Sequence, residues 1–127
     1  MWLALSPPYP SSYRDEHLYV DLRYELVMLD NQVLPLTRKE YCLLLLLVQH
    51  AGKVVPRKTL LMQVWGHVPE IRARAVSVHV QRLRRKLGMY GDQYIETAYG
   101  SGCRFRPLPE PRVPGAFSRY RHRHEPA

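Results

Sequence analysis

Residues 72–87 read RARAVSVHVQRLRRKL, and this stretch decides how the chain is understood. Six of its side chains are basic and none is a carboxylate. At roughly 100° per residue, Val76, Val80, Leu83 and Leu87 fall within about 60° of one another, which gives a helix one apolar face to bury. Arg74, Val78, Gln81 and Arg85 lie opposite, with Arg82 flanking them on one side and Ser77 and Arg84 on the other. A guanidinium fork can hold guanine O6 and N7, an amide can hold adenine N6 and N7, and a small apolar group can touch the thymine methyl. That mixture suits a helix that reads the DNA major groove. The competing reading is a basic face that is merely solvated, although solvated helices usually alternate charge sign so that neighbours pair at i,i+4.

Working outward, charge is unevenly spread along the 127 residues, whose formal net charge is +8. Residues 1–36 carry two basic and five acidic side chains, whereas residues 37–127 carry seventeen basic and six acidic ones. A polyanion is the natural partner of the second part. A membrane is not: the longest apolar run, Tyr41 to Val48, is less than half the roughly 20 residues of a spanning helix. The start, Trp2-Leu3-Ala4-Leu5, lacks a basic region before it and is broken by Pro7 and Pro8, so no secretory signal is expected. Cys42 and Cys103 are too few for a disulfide framework, and a reducing cytoplasm follows.

Both ends look untethered. Pro and Ser crowd residues 6–12, and Pro107, Pro109, Pro111 and Pro114 open a basic tail. Residues 1–16 are therefore expected to be a flexible leader and residues 108–127 a disordered basic tail, with one domain between them at 17–107.

Within that domain, three short segments with partial alternation, 18–22, 25–29 and 33–36, suggest a small antiparallel sheet, with a turn at Asp30-Asn31-Gln32. Thr37-Arg-Lys-Glu40 has the form of a capping box, so a helix should begin there and run to about Val48 before Gly52. Pro56 suits the first turn of a second helix, Arg57 to Trp65, ended by Gly66. Trp65 stands at i,i+4 from Leu61 and is expected in the core. The basic helix follows over 72–87 and closes at Gly88. Residues 94–99 and 103–106 flank Gly100-Ser101-Gly102 as a hairpin. The order is that of an α+β winged helix-turn-helix: a sheet, three helices and a hairpin wing.

Four motifs, in order and with their spacing, give the chain a closer likeness: Leu36-Thr-x-x-Glu40-Tyr-x-Leu-Leu, Val55-x-Arg57-x-x-Leu60-Leu61-x-x-Val64-Trp65-Gly66, Arg74-x-Val76-x-Val78-His79-Val80-x-Arg82-Leu83-Arg84-x-Lys86-Leu87, and Ile95-x-Thr97-x-x-Gly100-x-Gly102-x-Arg104-Phe105. Over about Leu18 to Pro107 the sequence resembles the OmpR/PhoB-type effector domain of bacterial transcriptional response regulators. The resemblance implies a four-stranded N-terminal sheet, a third helix that reads DNA, and a wing that meets the neighbouring minor groove. It implies double-stranded DNA as the partner, met as tandem direct repeats by a protein that is monomeric in solution or pairs head to tail on DNA. It further implies that His67, Val68, Pro69 and Glu70 lie in the loop that contacts RNA polymerase. A receiver domain of roughly 120 residues precedes the effector domain in such regulators, and nothing before Leu18 resembles one.

Carried over position by position, the resemblance assigns base or nearby phosphate contacts to Arg74, Ser77, Val78, Gln81 and Arg82, with His79 and Arg84 close to the backbone and Tyr99 and Ser101 at the wing turn; Arg85 on the outer face and Arg104 on the wing are further expected DNA contacts. Ala75 stands where the family often has Thr, Ser77 where it often has Asp, and Gln81 where it often has Arg. A different target sequence is expected from these changes. Tyr99 replaces an Arg common at the wing, and Cys103 replaces an aromatic, which should loosen packing there.

No enzyme is expected. His79 has no second His at ligand spacing and no carboxylate between Ile71 and Gly91, so neither a metal site nor an activated nucleophile is legible, and no cofactor is implied. A protein-binding winged helix with only nonspecific DNA affinity is the alternative function. The unopposed charge of the third helix speaks against it, because protein-binding surfaces carry more aromatic and apolar area.

Overall fold

The computed structural model describes residues 12–66, 73–98, 100–108 and, as backbone, 120–121. By contacts the chain divides into two compact units, one formed by residues 1–35 with 109–127 and the other by Leu36–Leu108.

The first unit is an antiparallel sheet. Its strands are β1 (Ser12–Arg14), β2 (Leu18–Asp21), β3 (Leu26–Leu29), β4 (Gln32–Val33) and β8 (Tyr120–Arg121), in the order β4-β3-β2-β1-β8. The turns follow from side chains that satisfy the backbone locally. The Asp15 carboxylate accepts the N–H groups of His17 and Leu18, both at 2.8 Å, and that of Asp21 accepts those of Arg23 and Tyr24 at 2.9 and 3.0 Å. Asp30 and Asn31 take φ of +50° and +66°, the left-handed pair that suits a two-residue hairpin between Leu29 and Gln32. Tyr13, Leu18, Val20, Leu22 and Val27 are buried.

Two expectations change here. The sheet has five strands, not the four implied by resemblance, because Tyr120–Arg121, within the stretch assigned to a disordered tail, pairs with β1. Ser12–Arg14, assigned to a flexible leader, forms β1 and pairs with β2 from Ser12↔Asp21 to Arg14↔Tyr19. Neither strand alternates visibly in sequence, since each is only two or three residues long.

In the second unit, α1 (Arg38–Gln49) begins at Thr37, and the expected capping box is present in both directions. Every residue from Glu40 to Val48 is buried, which is the composition of a helix covered on all sides. It packs against α2 (Arg57–Trp65), α3 (Ala73–Lys86) and β7 (Gly102–Phe105). The α3 stripe is as read: Val76, Val80, Leu83 and Leu87 are all buried.

Beyond α3 the chain makes a 3-10 turn, Gly88–Tyr90, and a one-turn helix, α4 (Gly91–Tyr94), where only a connection was expected. Gly91 permits it: a Cβ there would lie 2.2 Å from the Arg84 carbonyl oxygen. Tyr94 then stacks on Phe105 at 5.6 Å with the rings 4° apart.

The hairpin is β6 (Ile95–Ala98) with β7, and β5 (Val54–Pro56) adds a third strand in the order β5-β7-β6. Pro56 is thus the residue before α2 and the end of a strand, not the first turn of the helix. Gly102 lies so close to β5 that a Cβ would meet the Val55 oxygen at 2.0 Å. Cys103, expected to loosen the wing, is buried opposite both Val55 and Thr97. Among the described residues, no helix is long and apolar enough to cross a membrane.

Candidate nucleic-acid interface

Burying its apolar stripe turns the opposite face of α3 outward. Arg74, Ser77, Gln81, Arg82 and Arg85 are exposed and Val78 is half-buried. The last turn carries Arg84, Arg85 and Lys86, where cations also suit the negative end of the helix dipole. Six of the residues read as DNA contacts therefore share one solvent-facing surface.

His79 is placed differently. It is half-buried, its Nδ1 lies 2.8 Å from the Ala75 carbonyl, and its ring meets Trp65 edge-on at 4.9 Å. A carbonyl oxygen only accepts, so Nδ1 carries the proton and Nε2 can donate to a phosphate only once it is protonated as well. Trp65 itself is half-buried at the α2/α3 seam and not a full core residue, with the Lys39 ammonium 5.9 Å from its ring centre.

Arg84 and Arg104 also leave the positions read for them. Arg84 lies beside the buried stripe and turns inward: its side chain is 14% exposed, Nε donates to the Ile95 carbonyl at 3.0 Å, and the guanidinium donates to Thr97 Oγ1. On the wing, Arg104 Nε donates to Glu96 Oε1 at 2.8 Å and Arg106 reaches Glu96 Oε2 at 3.2 Å. The Arg104 hydrogen bond leads in holding the Glu96 carboxyl below its usual range. Both arginines are engaged in holding the wing together.

Ser101 is exposed at the wing turn, and its N–H donates to the Ala98 carbonyl at 2.9 Å. Tyr99 and the loop residues His67, Val68, Pro69 and Glu70 lie outside the described residues.

The structure adds Arg57 to this surface. It is the first residue of α2, is exposed, and its N–H reaches the Ser101 carbonyl at 3.3 Å. With Ser77, Gln81, Thr97 and Cys103 it lines a cleft of about 220 Å³ between α3 and the wing. Its place just after Pro56 was the available signal, because a residue at that position opens a helix beside whatever the preceding strand abuts.

A sequence model described as the C-terminal part of transcriptional regulatory proteins matches residues 31–105. The chain belongs to the OmpR/PhoB-type effector-domain family.

Among relatives, the response regulator ArlR of Staphylococcus saprophyticus is 42% identical over 77 residues, covering 60% of this chain and 35% of that protein. The solved structure of DrrB, an OmpR/PhoB homologue from Thermotoga maritima, superposes with a TM-score of 0.70 at 31% identity, covering 76% of this chain and 45% of that one. The DNA-binding domain of Klebsiella pneumoniae RstA, solved in complex with the RstA box, superposes at 0.67 and 28% identity over 76% of this chain and 97% of that domain. The chain spans little more than a third of the length of curated relatives such as ArlR.

Proposed function

We propose that this effector domain regulates transcription by binding duplex DNA in a sequence-specific way, with α3 in the major groove and the β6–β7 hairpin as the wing. The observation that carries the reading is the outer face of α3, where Arg74, Ser77, Gln81, Arg82 and Arg85 are exposed together while its apolar stripe is buried. Arg74 brings a two-donor fork and Gln81 a donor–acceptor amide to base edges, and Ser77 and Val78 bring a hydroxyl and a methyl surface between them. Arg82, Arg85 and Arg57 hold phosphates and fix register. Ser101 and Tyr99 bring the wing to the neighbouring backbone. That the similar RstA domain was solved in complex with the RstA box supports DNA binding.

Resemblance further supports binding to tandem direct repeats as head-to-tail pairs, and contact of the loop His67–Glu70 with RNA polymerase. Selection from a random duplex pool at two salt concentrations, with wild type beside Arg74→Ala, tests the proposal. A recovered motif that the variant loses or relaxes supports it. Binding without a motif that fades as salt rises refutes sequence reading.

A further inference from the structure

We infer that Arg84 is a positioning residue that fixes the angle between α3 and the wing, and so determines which base pairs flanking the major-groove site the hairpin reads. The inference rests on the DNA-reading proposal above.

Arg84 sits where three elements join. Its main-chain oxygen is covered by Gly91, so closely that a Cβ at 91 would lie 2.2 Å away. Its side chain holds two points along β6, the Ile95 carbonyl at 3.0 Å and the Thr97 hydroxyl. Asp92 Oδ1, on the helix that leads into β6, stands 4.0 Å from Nε. In the order β5-β7-β6, β6 has strand pairing on one side only. The Ile95 carbonyl on its open side is therefore satisfied by the recognition helix and not by another strand.

A planar guanidinium that bonds two residues of one strand sets an angle, whereas an ammonium would set only a distance. The Arg84–Thr97 bond borders the cleft that Ser77 and Gln81 on α3 and Gly102 and Cys103 on the wing also line, so beside that bond α3 and the wing stand apart and the guanidinium bridges them. A wing that swung by a few degrees would keep its fold and lose its alignment with the groove next to α3.

The experiment compares wild type, Arg84→Lys, Arg84→Ala and Thr97→Val, each as the full chain, on the selected duplex and on duplexes scrambled only where the wing lies. Wild type should discriminate against the scrambled flank by at least about fivefold, and Arg84→Lys and Thr97→Val should fall to within about twofold while preference for the core bases is kept. The Lys variant keeps the charge, so its salt slope should match wild type. Thermal melts establish that each variant is folded, and Thr97→Val keeps the β-branched shape should Arg84→Ala not fold.

Full flank discrimination in Arg84→Lys and Thr97→Val overturns the inference. So does a uniform loss in Arg84→Ala with a salt slope reduced by about one, which would make Arg84 a phosphate contact. Wild type without flank preference overturns wing reading altogether, and the core-base preference then judges the major-groove proposal separately.

Discussion

Lys86 Nζ lies 2.6 Å from Glu40 Oε1, joining the last turn of α3 to the first turn of α1. Glu40 is buried, and the same oxygen accepts the Thr37 N–H at 2.9 Å. The capping carboxylate of one helix is thus the docking point of the other. Burial acts to raise the Glu40 pKa, but the hydrogen bonds from Lys86 and Thr37 outweigh it and hold the carboxyl below its usual range.

Lys86→Ala should destabilise the domain by about 1–2 kcal/mol, below the figure for a fully buried pair because the lysine is partly exposed. A carboxyl with a lowered native pKa contributes its stability in full above the ordinary glutamate value of about 4.3 and loses it as pH falls through the native value. The gap between wild type and Lys86→Ala should therefore close on acidification from neutral pH. Urea unfolding at several pH values checks this, and a gap that stays constant would deny the pair its role.

Gln81 is exposed on the outer face of α3 and offers one donor and one acceptor. Gln81→Ala should cost about 1–3 kcal/mol on the selected duplex and relax preference at one base pair. Competition binding against duplexes changed one base pair at a time locates that position. Equal loss on every duplex would make Gln81 a backbone contact.

Arg82 should contact phosphate only. Arg82→Ala should weaken binding on all duplexes and lower the slope of log affinity against log salt by about one, leaving the preferred site unchanged. An altered preferred base in a salt-titrated binding series would instead put Arg82 on a base edge.

In the first unit, His17 Nδ1, in the turn before β2, stands 2.7 Å from Asp30 Oδ1 in the β3–β4 turn. The hydrogen bond that His17 donates to Asp30 leads in raising the His17 pKa. Its contribution is full below the ordinary histidine value of about 6.5 and fades as pH rises through the raised native value. Proton NMR should find His17 titrating above that ordinary value, and Asp30→Asn should bring the midpoint down. A midpoint that ignores the substitution would contradict the pairing.

Gly91→Ala would drive a methyl group into the Arg84 carbonyl, so it should cost about 1–3 kcal/mol through overpacking. Thermal unfolding measures it. An unchanged melting temperature would mean that α4 shifts away from α3 without penalty.

Much of the second unit was legible because its signals are local. The capping box at Thr37 and Glu40, Gly66 after α2 and the valine-leucine stripe of α3 each depend on residues a few positions apart, and they placed the helices to within a residue or so. The strands β8 and β5 were not legible, since each pairs with a partner distant in sequence, and β1, though it pairs with nearby β2, is only three residues long and carries no period of its own.

The reading face shows the same division. A helical wheel put Arg74, Ser77, Gln81, Arg82 and Arg85 outside correctly, because their positions follow from which stripe is buried. It could not show Arg84 turning to Ile95 and Thr97, or Arg104 turning to Glu96, because those partners lie on β6 and long cationic side chains choose between solvent and the nearest acceptor. Nor could it show the His79 ring meeting the Ala75 carbonyl one turn back and the edge of Trp65.

The claim that α3 reads the major groove is tested most directly by replacing each guanine of the selected duplex in turn with 7-deazaguanine, which removes only the major-groove N7 acceptor. Wild type should lose about 1–3 kcal/mol of affinity at one guanine, and Arg74→Ala should be indifferent to the same replacement. Equal binding of wild type to every substituted duplex would contradict the account.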